Sequence, residues 1–387
     1  MTDIKVTYVF LKSLLFIVFF ISGYLLSKSK NNSNYWRLAL LPIITFAVIS
    51  GLRFGREIDY NGYYLIYTNK YETDEMEFVF RIFINFFNFL EIPYYLFVFF
   101  CSTFLIVSFL YFLYRFRKFS FFILPLFLGL MGIENLIRWY FACSFLLVAV
   151  RLLIDKRYLF AFFLGIVAFF SHSGIIVCEL VIVVFYFFAN KNIINPYAAA
   201  VLFTIFVFYG STEQLNSIST LLNGSPALSS EKFSVYTENA NDIATGGMKT
   251  GIYERSFINN IRIYISYIFP IFFSGYHLLK ITDKYKEFLW LYNLSIFSII
   301  IMPVFMLVEI FNRISAALMF YSIILVGITV FYASSKKYNN MAVFSLLIIS
   351  FLCLVYPIFK IPFDITNENE MLFIWDANGL NYLIISK

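Results

Sequence analysis

His172 lies in the tetrapeptide Ser171-His172-Ser173-Gly174, a tight turn between two apolar runs of the sequence. An imidazole titrates near neutral pH, so this side chain can take a proton from a hydroxyl group, and the adjacent serines can orient its ring. The alternative is an ordinary polar cap at the end of a membrane helix. The chain has one other histidine, His277, which is interpreted as such a cap.

Arginine residues stand at the ends of other apolar runs. Arg53 and Arg56 follow the second run and share a face if its helix continues that far, because they are three residues apart. Arg138 follows Asn135 by three residues and Glu134 by four, at the start of the fifth run. A charge beside lipid is costly and therefore indicates a function. Both groups also have an explanation without a function. Arg53 and Arg56 can simply extend to the membrane interface, and Arg138 can form an ion pair with Glu134 within one helix.

Two further groups of charged residues are less specific. Glu309 and Arg313 repeat the four-residue spacing at the start of the eleventh run, and the same alternative applies to them. The run Asp74-Glu75-Met76-Glu77 is interpreted as a solvated acidic face. Glu179, which lies within the seventh run, is interpreted as a structural residue that is paired or protonated.

The composition predicts the elements that must position these side chains. Of the 387 residues, 61% are hydrophobic and 13% charged, with a mean hydropathy of +0.80. A soluble domain carries roughly 25% charged residues, so an integral membrane protein is predicted. The net charge of +6 does not indicate nucleic acid, because basic residues mainly orient membrane proteins. The four cysteines lie in apolar runs and are predicted to pack there.

A single all-α domain, residues 1–387, is predicted as a polytopic transmembrane helix bundle with about 12 spans. Roughly 20 helical residues cross a bilayer, although several of these runs are shorter. The segment 78–91 is apolar but contains polar residues, which indicates an interfacial helix. The predicted spans are 7–27, 38–54, 93–114, 119–133, 135–154, 158–171, 174–189, 193–210, 258–279, 288–308, 313–333 and 341–359.

Clusters of Lys and Arg predict the orientation of the bundle. They fall in short loops that alternate onto one side of the twelve-span topology, which places that side in the cytoplasm and both termini outside. Three outer segments are longer than connectors: 55–92, the long loop 211–257 and the tail 360–387. Loops of such length in compact proteins are usually functional or mobile.

The layout and several motifs resemble the EpsG/Wzy-type bacterial polysaccharide polymerases. The resemblance covers most of the chain, and the order of the motifs carries it more than any one of them. Trp139 departs from the family pattern, which commonly has Gln after the arginine of the fifth span. The resembling stretches are Gly51-Leu52-Arg53-Phe54-Gly55 with Asp59-Tyr60 and Tyr63-Tyr64, Asn135-x-x-Arg138, the segment from Arg157 to His172, Asn312-Arg313 with Phe320-Tyr321, and the segment from Lys232 to Tyr236.

The resemblance implies a glycosyltransferase of the bacterial cytoplasmic membrane. Such an enzyme joins oligosaccharide repeat units carried on polyprenyl pyrophosphate, at the outer membrane face, during capsule, exopolysaccharide or O-antigen synthesis. Its partners would be the lipid-linked glycan, membrane lipids, and a flippase or a chain-length regulator. Neither a cofactor nor a metal is expected, since no Asp-x-Asp pair lies in an outer segment.

The resemblance also implies roles for residues. Arginine binds phosphate oxygens at two points and stays charged, so several arginines can hold a departing pyrophosphate. The expected clamp is Arg53, Arg138 and Arg313. His172 is the first candidate for the base and Asp59 the second. Further substrate-binding candidates are Arg56, Arg262, Tyr60 and Asn135.

Other functions fit the same layout. A flippase or transporter also has about twelve spans, but its polar groups are usually at the bilayer midplane and its halves repeated. A polysaccharide ligase differs from a polymerase only in its acceptor. A membrane acyltransferase or a structural scaffold remains a further alternative.

Overall fold

The structure is a computed structural model of the whole chain. It describes residues 3–55, 58–69, 76–130, 136–188, 191, 194–210, 256–278, 286–307, 309–334, 341–364 and 372–374. Residues 211–255 of the long loop, which include the segment 232–236, and most of the tail 360–387 therefore lie outside the described residues.

The described part of the chain is helical, which confirms the all-α prediction. Six helices in it are long and apolar enough to cross a membrane, and several shorter apolar helices accompany them. The count of twelve spans stays a prediction. The helices are α1 Asp3–Ser27, α2 Asn32–Phe46, α3 Ile58–Asn69, α4 Phe78–Phe89, α5 Tyr94–Leu113, α6 Ser120–Phe127, α7 Ile137–Ile154, α8 Tyr158–Ser171, α9 Ile175–Phe187, α10 Pro196–Tyr209, α11 Phe257–Leu278, α12 Lys286–Phe305, α13 Glu309–Ser334 and α14 Met341–Asp364.

The chain divides into two compact units. The first comprises Met1–Leu180 and Val355–Lys387, and the second comprises Val181–Leu354. In the first unit, α5 and α7 run parallel, because their beginnings share one cluster of apolar side chains and their ends share contacts between Arg151 and two tyrosines. Arg151 follows Arg138 by 13 residues, which corresponds to a rise of about 20 Å along α7. The two arginines therefore lie at opposite ends of the first unit.

The chain between α5 and α7 connects opposite ends of the first unit. A turn of 3₁₀ helix, Tyr114–Phe119, leads into α6, which is helical only over Ser120–Phe127. Eight residues rise about 12 Å, less than a bilayer thickness. The helix contains Pro125 and is followed by Gly129, and both residue types disfavour a longer helix.

The helix of the second predicted span, 38–54, ends at Gly51, so it does not continue to Arg53, as a shared helical face with Arg56 would require. Helix α2 continues only through a π-helical turn, Ala47–Gly51. A Cβ atom at Gly51 would lie 2.7 Å from the Cα atom of Phe99, so the close packing of this turn against α5 requires glycine. Arg53 follows in an extended segment that pairs with Phe373 as an antiparallel bridge.

In the second unit, α12 and α13 pack antiparallel through small side chains. The Ser295 hydroxyl donates to the Tyr321 carbonyl over 2.9 Å, and the Ser322 hydroxyl donates to the Ser295 carbonyl over 3.3 Å. Serines allow helix backbones to approach closely where the surroundings are apolar. The Tyr292 hydroxyl, near the start of α12, lies 3.4 Å from the Cβ position of Gly275, near the end of α11. The end of α11 thus lies beside the start of α12, so these two helices run antiparallel. Because α12 and α13 are also antiparallel, α11 and α13 run parallel.

Candidate functional site

Three segments that are distant in sequence meet at one end of the first unit. Arg138 Nη1 donates to Glu77 Oε2 over 2.9 Å, which also forms an ion pair. The other carboxylate oxygen, Oε1, accepts from the backbone N–H and from the hydroxyl of Ser173, each over 3.2 Å. One carboxylate thus connects α4, α7 and the turn between α8 and α9, and together they form the candidate site.

Helix ends position these groups. Glu77 is the residue before the first turn of α4, Arg138 lies in the first turn of α7, and Ser173 lies in the turn after α8. A carboxylate, a guanidinium and a free backbone N–H are typical of such places, because the helix interior has no room for further polar partners. The apolar bodies of α4, α5 and α7 pack below them in one cluster.

His172 and Trp139 form the neighbouring wall of the site. Their rings meet edge to face with centroids 4.9 Å apart. The backbone N–H of Gly174 donates to Nδ1 of His172 over 3.1 Å. Any Cβ atom at residue 174 would lie 3.3 Å from both rings, which makes glycine the residue that lets the turn close against them.

This hydrogen bond defines which nitrogen of His172 carries the proton. Since Nδ1 accepts, the neutral ring holds its proton on Nε2 and offers Nε2–H as a donor. Accepting a proton at Nε2 would first require moving the ring proton to Nδ1, which the Gly174 N–H opposes. The geometry favours a donor role for His172, and its predicted role as the base stays a prediction.

Glu77 corrects the interpretation of residues 74–77 as a solvated acidic face. Its side chain is 12% exposed and is bound by two other segments, whereas Asp74 and Glu75 lie outside the described residues. Burial alone would raise the pKa of Glu77, but the Arg138 guanidinium and the hydrogen bond from Ser173 hold it below its usual value. The carboxylate therefore stays ionised and neutralises Arg138.

Two donors at the site have no acceptor among the described residues. They are Nε of Arg138 and Nε1 of Trp139, and both are buried. A buried N–H without an acceptor costs about 1–3 kcal/mol. A ligand rich in oxygen atoms, such as a phosphate or a sugar, would provide the acceptors that these groups lack.

Arg53 lies beside the same apolar cluster. Its side chain is buried, 2% exposed, and Nη1 donates to the Ser50 carbonyl over 2.6 Å. The guanidinium also lies close enough to the Tyr94 hydroxyl and the Cys101 thiol to affect both electrostatically. Tyr94 contributes to the cluster from α5, as Ile137 and Phe141 do from α7, so Arg53 and Arg138 flank one body of packed side chains.

Arg262 and Arg313 lie at one end of the second unit. The Tyr267 hydroxyl in α11 and Met319 Sδ in α13 are 4.0 Å apart. Arg262 lies five residues before Tyr267 and Arg313 lies six residues before Met319. Because α11 and α13 run parallel, the backbones of the two arginines lie at a similar height along the helices. Nε of Arg262 is buried and has no hydrogen-bond partner among the described residues. The grouping of these arginines with Arg53 and Arg138 into one clamp stays a prediction.

Several predicted site residues are placed elsewhere or lie outside the description. Tyr60 is 3% exposed, and its ring packs against Tyr94 with centroids 5.0 Å apart, so its ring contributes to the core. Arg56 and Asn135 lie outside the described residues, and Asp59 is described only as part of α3. Helix α7 begins at Ile137 and Glu134 lies outside the described residues, so the ion pair between Glu134 and Arg138 stays a prediction.

Glu77 as the partner of Arg138, and Ser173 as the partner of Glu77, are not among the residues predicted from the sequence. The serines beside His172 are predicted to orient the imidazole, but the Ser173 hydroxyl donates to Glu77 and the Ser171 hydroxyl donates to the Val167 carbonyl. The one available signal was the abrupt change from acidic residues to the apolar α4 sequence at Glu77. Among the described residues, no group of three or more His, Cys, Asp or Glu side chains is arranged to hold a metal ion.

Comparison with known proteins gives one match. A sequence model of the EpsG family matches residues 36–372, which is most of the chain and includes every residue of the candidate site. Neither the curated proteins nor the solved structures give a match.

Proposed function

The chain belongs to the EpsG family, and on that premise we propose that it polymerises polysaccharide repeat units. Family membership fits a polysaccharide polymerase, and the apolar helices fit a multi-pass membrane protein. The proposed donor is a growing glycan on polyprenyl pyrophosphate, and the acceptor is the terminal sugar of the next lipid-linked unit. The proposed place is the outer face of a bacterial cytoplasmic membrane, during capsule, exopolysaccharide or O-antigen synthesis.

The observation that carries the proposal is the arrangement around Arg138. The Arg138 guanidinium, whose buried Nε–H has no acceptor among the described residues, the similarly buried Nε1–H of Trp139 and the imidazole of His172 lie at the boundary of a membrane helix. This group offers several hydrogen-bond donors to oxygen atoms, and the ends of three helices hold it in position. A pyrophosphate joined to a lipid reaches such a position at the membrane surface, with its polyprenyl chain in the bilayer.

The proposed reaction is a substitution at the anomeric carbon of the donor glycan. The acceptor hydroxyl oxygen forms the new glycosidic bond while the bond from the anomeric carbon to the pyrophosphate oxygen breaks. That bond's electron pair leaves with polyprenyl pyrophosphate, and the hydroxyl proton passes to a base. Donors placed at the developing charge are typically worth about 3–4 kcal/mol each.

The residues take different parts in this step. Arg138 binds the pyrophosphate and stabilises its added charge, and Arg53, Arg262 and Arg313 are the further candidates of the clamp. His172 donates from Nε2 to the substrate, which leaves Asp59 as the better candidate for the base. Trp139 offers its N–H and a flat apolar ring, which suits the face of a sugar. The arginines supply the positive charge that a divalent metal provides in other glycosyl transfers.

Glu77 acts as a positioning residue in this proposal. A base must be able to hold a proton near neutral pH, whereas the pKa of this carboxylate is held below its usual value. Glu77 instead fixes the guanidinium of Arg138 relative to Ser173 and therefore to His172.

The rival functions differ in where the polar groups lie. A flippase is expected to carry them at the midplane of its spans. Here the Glu77–Arg138–Ser173 group lies at helix ends, and Glu179 is the carboxylate that faces another helix within a span, at Gly165 of α8. This placement favours chemistry at one membrane face over passage through the bilayer.

Surface glycans of a deletion strain test the proposed function. Electrophoresis should show lipid-linked glycan of one repeat unit in the deletion strain and long chains after complementation with the wild-type protein. Complementation with Arg138→Ala should leave the single-unit band although the protein is present in the membrane. Complete loss of surface glycan would instead indicate a flippase, and long polymer that stays unattached would indicate a ligase.

A further inference from the structure

The end of the first unit opposite the candidate site holds a second group of arginines. Helix α7 ends beside the 3₁₀ turn that follows α5. The guanidinium carbon of Arg151 lies 5.7 Å from the ring centroids of both Tyr111 and Tyr114. The guanidinium carbon of Arg117 lies 4.9 Å from the centroid of the same Tyr114 ring. We refer to Tyr111, Tyr114, Arg117 and Arg151 as the basic–aromatic cluster.

Arg151 is more deeply buried than a membrane-surface arginine needs to be. The residue is 8% exposed, and its Nε donates to Asp155 Oδ2 over 2.8 Å. Its Nη1 is buried and has no hydrogen-bond partner among the described residues. Tyrosine rings attract a cation through their faces but accept no conventional hydrogen bond there. A desolvated guanidinium in this position therefore lacks an acceptor that an anion would provide.

Basic residues outnumber acidic residues around the basic–aromatic cluster, which also favours an anion. Asp155 is the acidic residue beside the cluster, and it already binds Arg151. The adjoining turns add further basic residues on the same short stretches of chain. These are Arg115, Lys118, Lys156 and Arg157.

We propose that the basic–aromatic cluster binds the phosphate of an anionic phospholipid. A phosphodiester has two free oxygens, which fit the paired N–H groups of a guanidinium. The guanidinium groups of Arg117 and Arg151 both lie beside the ring of Tyr114, so two cations are near one another. Tyrosines at this depth suit the border between acyl chains and headgroups. Basic pockets between membrane helices are a common form of phospholipid site. The cluster and the candidate site lie at opposite ends of α7, so the lipid is distinct from the proposed substrate.

Thermal unfolding of the purified full chain in a neutral detergent tests this proposal. Phosphatidylglycerol should raise the unfolding temperature in a saturable way, because a ligand of the folded state stabilises it. Phosphatidylcholine, which has the same phosphate but no net charge, should have little effect. Inorganic phosphate at equal concentration should also have little effect, since it lacks acyl chains that hold it at this depth.

Variants identify the residues responsible. Arg151→Gln and Arg117→Gln should each raise the half-saturating concentration of phosphatidylglycerol about tenfold, the effect of losing one good ionic contact. Arg157→Gln removes the same charge from an exposed residue on the next turn. It should change the half-saturating concentration of phosphatidylglycerol less than about twofold. Asp155→Asn should tighten binding, because it removes the competing charge and keeps an oxygen for Arg151 Nε. Arg117 is partly exposed, so its variant remains informative if Arg151→Gln does not fold.

Three results would overturn the proposal. Equal weakening by Arg157→Gln and Arg117→Gln would indicate only a diffuse positive field at the membrane surface. An equal temperature shift with phosphatidylcholine would indicate general solvation by lipid. An equal shift with inorganic phosphate would indicate a site for a soluble anion.

Discussion

Helix α7 carries an arginine–carboxylate pair at each end, and the two pairs have nearly the same length but different connections. Arg138 binds Glu77 over 2.9 Å across 61 residues of sequence, whereas Arg151 binds Asp155 over 2.8 Å within one helical turn. The first pair joins three separate segments, and the second joins α7 only to Asp155, the residue that directly follows the helix. The comparison shows that the distance between two charges does not indicate their role, since that depends on which elements the pair holds together.

The strongest test of this difference exchanges the arginines for lysine. Arg138→Lys keeps a positive charge but loses the fork that contacts Glu77 and the pyrophosphate together, so polymer formation should fall by about tenfold to a hundredfold. Arg151→Lys should leave polymer formation within about twofold. Long-chain surface glycan, normalised to protein in the membrane, measures both. Equal losses in the two variants would contradict the assignment of catalysis to one end of α7.

His172 sharpens the description of the active end. A donor role at Nε2 predicts that His172→Gln, whose amide N–H₂ extends to a similar distance, keeps polymer formation within about threefold of the wild type. His172→Ala should lower it about tenfold or more, since a donor to developing charge is lost. The same glycan measurement applies. Inactivity of both variants at normal protein level would restore the base role predicted from the sequence.

A double-mutant cycle measures how strongly each pair is coupled. Glu77→Gln and Arg138→Gln, alone and together, should give a coupling energy of about 1–3 kcal/mol, as expected for partly buried groups in one network. The corresponding cycle for Arg151 and Asp155 should give about 0.5 kcal/mol or less, as for helical pairs four residues apart. Unfolding by sodium dodecyl sulfate in mixed micelles provides the free energies. Similar coupling in both cycles would remove the distinction between the pairs.

The pH dependence of stability gives the smallest effect. The pKa of Glu77 is lowered by folding, so its contribution is present above the unfolded value of 4.5 and is lost as pH falls through the folded value. The difference in unfolding temperature between the wild type and Glu77→Gln should stay constant from pH 7 to about 5 and shrink below about 4.5. When both proteins also carry Arg138→Gln, the difference in unfolding temperature that Glu77→Gln causes should be small at every pH. A difference that grows as the pH falls from 7 to 6 would show instead that the pKa of Glu77 is raised by folding.

Much of the fold follows from the sequence alone, because apolar runs in lipid have no alternative to helices. The segment predicted as a helix at 78–91 forms the separate short helix α4, Phe78–Phe89, and its position at the membrane interface stays a prediction. The end of α2 was not predictable in the same way, since it depends on how closely Gly51 approaches Phe99. Local hydropathy contains no information about that contact between two helices.

The candidate site was predictable only in part. Arg138 and His172 were identified because charged and titratable groups at membrane helix ends need a reason. Glu77 was missed because an acid that ends an acidic run looks solvated, and its partner is 61 residues away. Trp139 was noticed as a departure from the family pattern, but only the structure relates it to His172 through a ring contact of 4.9 Å.

The short antiparallel pairing of residues 52–54 with 372–374 has a practical consequence. The Phe54 N–H donates to the Leu372 carbonyl and the Ile374 N–H donates to the Leu52 carbonyl, each over 3.1 Å. A polypeptide truncated before Leu372 would release both bonds and admit water to the Arg53 side chain. Affinity tags that require trimming of the carboxyl end are therefore poorly suited to this protein, and fusions at the amino end are the safer choice for purification.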